Sequence, residues 1–178
     1  MDSMDRNGLG LLQVYTGEGK GKTTAALGLA LRAWGHGLQV GVVQFMKKGE
    51  DYGEIRALRK IGIEVFQFGS GKLITKGRHC QDDLDCARHA LELSRSLLRS
   101  GEFDLLILDE VNVALYFELI SKDDLLEALR QRDRGVEVIC TGRNAPKELR
   151  KEADLVTVMS LEKHPYDEGL SARKGIEY

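Results

Sequence analysis

The sequence predicts an α/β domain with a mostly parallel sheet covered by helices on both faces, and three observations carry that prediction. Short, nearly uncharged apolar runs alternate with amphipathic stretches along the chain. The runs are apolar at almost every position rather than every second one, as strands buried on both faces require. A glycine-rich turn joins the first run directly to the first helical stretch.

Taken in order, residues 9–15 form a first strand, stopped by TGEGKG, and 23–34 form a helix rich in Ala and Leu, closed by Gly35 and Gly37. Residues 38–46 make a second strand, 54–60 a short helix and 63–68 a third strand. Residues 69–81 have no period and read as a loop. The clearest amphipathic helix is 82–99, where Leu84, Ala87, Leu91 and Leu98 recur at helical spacing and acids open the first turn. A fully apolar strand at 103–108 ends in Asp109 and Glu110. A helix at 122–132, a strand at 136–140, a short helix after Pro146 and a strand at 155–159 complete the alternation. The tail, 160–178, has no period and is expected to drape over the domain. The first eight residues are polar and are expected to be a flexible arm, leaving 9–178 as the domain.

Length and composition limit the function. The chain has 178 residues, and at roughly 150 residues per domain that is one domain. Lys+Arg number 26 against 28 Asp+Glu, a net charge of -2, so no basic excess points to nucleic acid. No apolar run approaches the ~20 residues of a membrane span. The polar start has no signal-like stretch, and three cysteines are too few for a disulfide framework, so a cytoplasmic protein is expected.

The chemistry lies in Thr16-Gly17-Glu18-Gly19-Lys20-Gly21-Lys22-Thr23-Thr24. A polyphosphate needs several backbone N–H groups converging on it, which glycines permit. A helix N-terminus adds its dipole, a lysine adds charge, and a hydroxyl beside that lysine can ligate Mg²⁺. Gly21-Lys22-Thr23 supplies the last three in order. The common pattern has glycine where this chain has Thr16. The strand LLILDE then places Asp109 and Glu110 at the carboxyl edge of the sheet, able to hold the metal directly or through water. The fold so indicated is P-loop NTPase-like, of the RecA-like kind, and the ligand is a nucleoside triphosphate with Mg²⁺.

Beyond this generic pattern, the chain resembles the P-loop type of ATP:corrinoid adenosyltransferases. The resemblance rests on VYTGEGKGKTTAALGLALRAWGHG, VGVVQFMKKG, LLILDEVNVAL, TGRNAP, KHPYDEG and ARKGIEY, in that order. It implies transfer of the 5′-deoxyadenosyl group of ATP to a Co(I) corrinoid, with release of tripolyphosphate. It also implies an electron donor such as a reduced flavoprotein, and a homodimer. Residue by residue, it assigns 17–24 to the triphosphate, with Lys22 and Lys20 neutralising the leaving group, and Thr23 with Glu110 to magnesium. Arg32 matches an arginine near the nucleoside, and Asn112 and Arg143 match positions near the site. Glu18 stands where many members have asparagine. In the loop after the third strand, members commonly have aromatics that press on the corrin, whereas this chain reads Gly69-Ser70-Gly71-Lys72-Leu73-Ile74.

Other constellations have plainer readings. His79, Cys80, Cys86 and His89 lack metal-clip spacing and read as a core cysteine with surface histidines. Lys163-His164 belongs to the tail motif of the resemblance, and the mixed-sign run 130–134 is a solvated helix end. Tyr15 and Trp34 read as core. Against the adenosyltransferase stand a divergent P-loop ATPase or small-molecule kinase, which releases ADP or phosphate, and a RecA-like nucleic-acid motor or regulatory nucleotide-binding module.

Overall fold

A computed structural model describes residues 8–49, 52–71, 77 and 79–177. The elements run β1 (Leu12–Thr16), α1 (Lys22–Gly35), β2 (Val40–Phe45), α2 (Gly53–Lys60), β3 (Glu64–Phe68) and α3 (Gln81–Ser100). They continue with β4 (Leu105–Asp109), α4 (Val111–Tyr116), α5 (Lys122–Arg130), β5 (Glu137–Thr141), α6 (Lys147–Glu152) and β6 (Leu155–Val158). Six strands form one sheet in the order β3-β2-β4-β5-β1-β6, every pairing parallel.

Why the middle strands are apolar throughout follows from their cover. In β4, Leu106 and Leu108 pack with α3, α5 and α6 on one face, while Leu105 and Ile107 pack with α1 and α2 on the other. A strand coated on both sides has no solvent position for a polar residue. β6 is the contrast: as an edge strand, all four of its residues are exposed.

The helices end where local chemistry ends them. Ser121 caps α5, its Oγ accepting the Asp124 N–H, and acids occupy the first turn. At the start of α3 the Asp83 carboxylate accepts the Cys80 N–H at 2.8 Å, and Gly101 closes the helix in the left-handed conformation.

Two readings change. Trp34 is 41% exposed: the buried stripe of α1 is Ala26, Leu27, Ala30 and Ala33, and the large indole falls at its margin. Tyr15 is half-buried against the α1 face of the core, with its hydroxyl donating to Gln13 Oε1 at 2.8 Å. The short α4, directly after Asp109-Glu110, is an addition that the period of the sequence does not announce. Lys72, Leu73 and Ile74 of the aromatic-free loop lie outside the described residues, as does the arm up to residue 7. Among the described residues, no helix is long and apolar enough to cross a membrane.

Candidate active site

The turn after β1 is held by its neighbour strand. Gly17 has φ +100, a conformation L side chains avoid, and a Cβ on it would lie 2.4 Å from the Met159 carbonyl oxygen. The Gly19 N–H donates to that same oxygen at 2.7 Å, and the Met159 N–H donates to the Thr16 carbonyl at 2.8 Å. Gly21, at φ +111, is the N-cap of α1, which has no side-chain cap. The first-turn N–H groups are thus left to a ligand, and an anion is the ligand their dipole favours.

Inside this turn lies the Lys22 ammonium, donating to the carbonyls of Gly17 at 2.8 Å and Gly19 at 2.6 Å. Burial, then the Arg143 charge, hold this amine below its ordinary pKa, against the pull of Glu110 and Glu18. It is a poorly solvated cation suited to neutralise charge gathering on a leaving polyphosphate.

Asp109 and Glu110, neighbours in sequence, have opposite surroundings. Asp109 is fully buried. Its Oδ1 accepts the hydroxyls of Thr23 at 2.8 Å and Thr141 at 2.7 Å, and its Oδ2 accepts Gln44 Nε2 and Lys47 Nζ, each at 2.9 Å. Burial pushes the carboxyl up, but Lys47 and the hydroxyls of Thr141 and Thr23 outweigh it and bring it below the usual value. Glu110 takes a left-handed φ of 62° as the N-cap of α4, and its N–H donates to Thr141 Oγ1 at 3.0 Å. Burial, then the Asp109 charge, raise its carboxyl above the ordinary range despite Lys47, Lys22 and Arg143.

The donor set suits a hard cation. Mg²⁺ bound to a polyphosphate needs only one or two protein oxygens, the phosphates and water completing its shell. The Thr23 hydroxyl proton is committed to Asp109, leaving the oxygen lone pairs for a cation, and Glu110 adds a carboxylate on the wall of the same cleft. Asp109 has both oxygens filled, so it is placed to act through Thr23 rather than as a direct ligand.

An open cleft of about 880 Å³ lies over the turn. Of the sequence-predicted residues, Glu18, Gly19, Lys20, Gly21, Lys22, Thr23, Thr24, Glu110 and Arg143 line it. Gly17 stands just behind, contributing its carbonyl to Lys22. Besides the buried Asp109, three others do not face it. Thr16 ends β1 and is buried, its Oγ1 accepting the Ala145 N–H at 3.2 Å. Asn112 is fully buried in the first turn of α4, its amide donating to the carbonyls of Tyr15, Cys140 and Gly142 at 3.5, 3.5 and 3.2 Å; it staples α4 to the ends of β1 and β5. Arg32 sits exposed in the last turn of α1, ten residues beyond Lys22 and so about 15 Å along the helix.

The structure also brings in residues that the sequence reading did not assign to the triphosphate or the metal, some of them inside the quoted segments. Lys47 and Tyr52 enter from the β2–α2 connection, and Gln44 and Thr141 reach Asp109 from the neighbouring strands. The signal available was position alone, since residues just past the carboxyl ends of central strands converge on the crevice of an open α/β sheet. From the tail come His164, Gly175, Ile176 and Glu177. Lys20 donates to Glu177 Oε1 at 2.9 Å and to the Ile176 carbonyl at 3.4 Å, while Arg143 pairs with Glu18 at 3.6 Å.

A glycine turn opening into a helix, with its hydroxyl bonded to the acid at the tip of a buried parallel strand, defines a P-loop protein of the α/β class. Comparison with known proteins narrows this. The family model of the ATP:corrinoid adenosyltransferases BtuR/CobO/CobP matches residues 8–178, and the chain belongs to that family. It is 37% identical over 97% of its length to a corrinoid adenosyltransferase of Pseudomonas aeruginosa, covering 86% of that protein. It is 35% identical to one of Escherichia coli over 95% of its length and 86% of that protein, and 36% identical to one of Sinorhizobium over 95% and 80%. Each of these relatives is named a corrinoid adenosyltransferase.

Proposed function

We propose that this chain transfers the 5′-deoxyadenosyl group of ATP to the Co(I) centre of a reduced corrinoid and releases tripolyphosphate, in the making or salvage of an adenosylated corrinoid. The electron pair of Co(I) forms the new bond to the ribose 5′-carbon. The C5′–O bond breaks with its electrons on the leaving triphosphate, and cobalt ends as an alkyl-Co(III). No proton moves, so the protein's task is to gather cations around the leaving group and to keep water from the reductant. The observation that carries the reading is the 2.8 Å bond from the Thr23 hydroxyl to Asp109, in a chain of this family.

In this reading Lys22, Lys20 and the turn amides hold the triphosphate, with Arg143 above them. Magnesium, held by Thr23 and Glu110, supplies further charge neutralisation on the phosphates. An electron donor such as a reduced flavoprotein, a homodimer and a cytoplasmic location complete it.

The test is anaerobic incubation with Mg-ATP and chemically reduced corrinoid, read by absorbance and by analysis of the phosphate products. A light-sensitive Co–C adduct with stoichiometric tripolyphosphate is the expected result. ADP or phosphate with no adduct across several corrinoids would instead mean a divergent ATPase or kinase.

A further inference from the structure

The partly buried Lys47 has no part in the reading above, and its surroundings give it one. Its side chain is 19% exposed, it lies 2.9 Å from Asp109 Oδ2, and its ammonium stands 5.7 Å from the centre of the Tyr52 ring, within reach of a cation–π attraction. Burial pulls the amine down, but Asp109, then Glu110 and Glu54, raise it above its ordinary value. A lysine held in this way gives up part of its hydration and rotamer freedom, which its pairing with Asp109 must offset.

An ionised carboxylate offers about four lone-pair positions, and those of Asp109 are taken by two hydroxyls, one amide and one ammonium. Lys47 alone among these four donors carries charge. Both hydroxyls fall on Oδ1 and both nitrogens on Oδ2, so the carboxylate plane is fixed by which side the ammonium holds. We propose that Lys47 is a positioning residue for the metal: by clamping Oδ2, it keeps Oδ1 on the Thr23 hydroxyl and so keeps the Thr23 lone pairs turned to the cation. Its effect runs from Lys47 to Asp109 to Thr23. Without the ammonium, a fully buried carboxylate lacks a countercharge and one of its two Oδ2 donors, and turning it releases Thr23 from its one orientation. The inference rests on the metal–triphosphate reading of this site.

The experiment measures ATP affinity by calorimetry, with Mg²⁺ and again with EDTA, in the wild-type chain, Lys47→Met, Asp109→Asn and the double variant. Thermal melts check that each is folded at the assay temperature. Lys47→Met is expected to lose roughly 10- to 100-fold of the Mg²⁺-dependent gain in affinity, as supporting partners of metal ligands do. Its EDTA affinity should match that of the wild type. The double variant should fall within about twofold of Asp109→Asn, the ordinary error of such cycles. Equal losses with and without Mg²⁺, or additive losses in the double variant, would overturn the proposal, the first by making Lys47 a phosphate ligand or a structural prop. A wild-type chain with no Mg²⁺-dependent gain overturns the reading of the site itself, whereas an undiminished gain in Lys47→Met overturns only the role of Lys47. Should Lys47→Met fail to fold, Lys47→Gln keeps a donor without the charge and runs the same comparison.

Discussion

The two walls of the cleft are built in different ways. The turn wall, 17–24 with the tip of β4, is short in sequence and dense in interior bonds, from Lys22 on the turn carbonyls to the four donors on Asp109. The tail wall, with His164 and residues 175–177, meets the turn through exposed ion pairs such as Lys20–Glu177. Interior hydrogen bonds to charged groups are each worth more than a solvent-screened surface pair. One wall is therefore preorganised to meet charge, and the other can yield to whatever enters.

The strongest way to break that contrast is Lys22→Ala. Triphosphate-dependent turnover should fall roughly 10²- to 10³-fold, with an unchanged circular dichroism spectrum; full activity would remove the turn from the chemistry. Next, Gly17→Ala forces a Cβ against the Met159 carbonyl at a left-handed φ and should cost at least ~1–3 kcal/mol in a denaturant melt. A neutral result would mean that the turn wall is as yielding as the tail.

Across the cleft the effects should be smaller. Arg143→Ala removes one exposed cation and should raise KM for ATP about tenfold, as the loss of one charge-assisted hydrogen bond does, with the melt unmoved. The mildest expected change is Glu177→Gln. Hydrogen bonds from Arg173, then Lys20, hold the Glu177 carboxyl down at about 2. Its folded value lies below the unfolded one, so the tail contact is present above the ordinary glutamate value of 4.5 and is lost as pH falls toward about 2. Glu177→Gln should remove that acid-sensitive step from amide exchange at 173–177. It should also free Lys20 for phosphate, lowering KM for ATP by no more than about fivefold. A larger change in either direction would make the tail a built part of the site.

The same division explains what could be read in advance. The strands β1, β2, β4 and β5 and the helices α1 and α3 show within a residue or three, because apolar runs and helical spacing are short-range patterns. α4 escaped because six residues beginning at a left-handed Glu110 carry little periodic signal. Asn112 was placed at the site by motif position, whereas its amide turns inward to three carbonyls. No local pattern tells a buried asparagine from one facing a ligand.

By itself the sequence determined the α/β class, the glycine turn, the lysine and threonine that follow it, and the acid pair at the end of a buried strand. These depend on residues close in the chain. Tertiary structure decided the assignments among them. β5 lies between β1 and β4 in the sheet, yet the turn from β1 crosses to β4 and puts Thr23 on Asp109. That order also puts Lys47 beside Asp109 and leaves Glu110 on the cleft wall, while the tail returns Glu177 to Lys20. Partners 62, 86 and 157 positions apart are chosen by sheet order and burial, which no stretch of neighbouring residues contains.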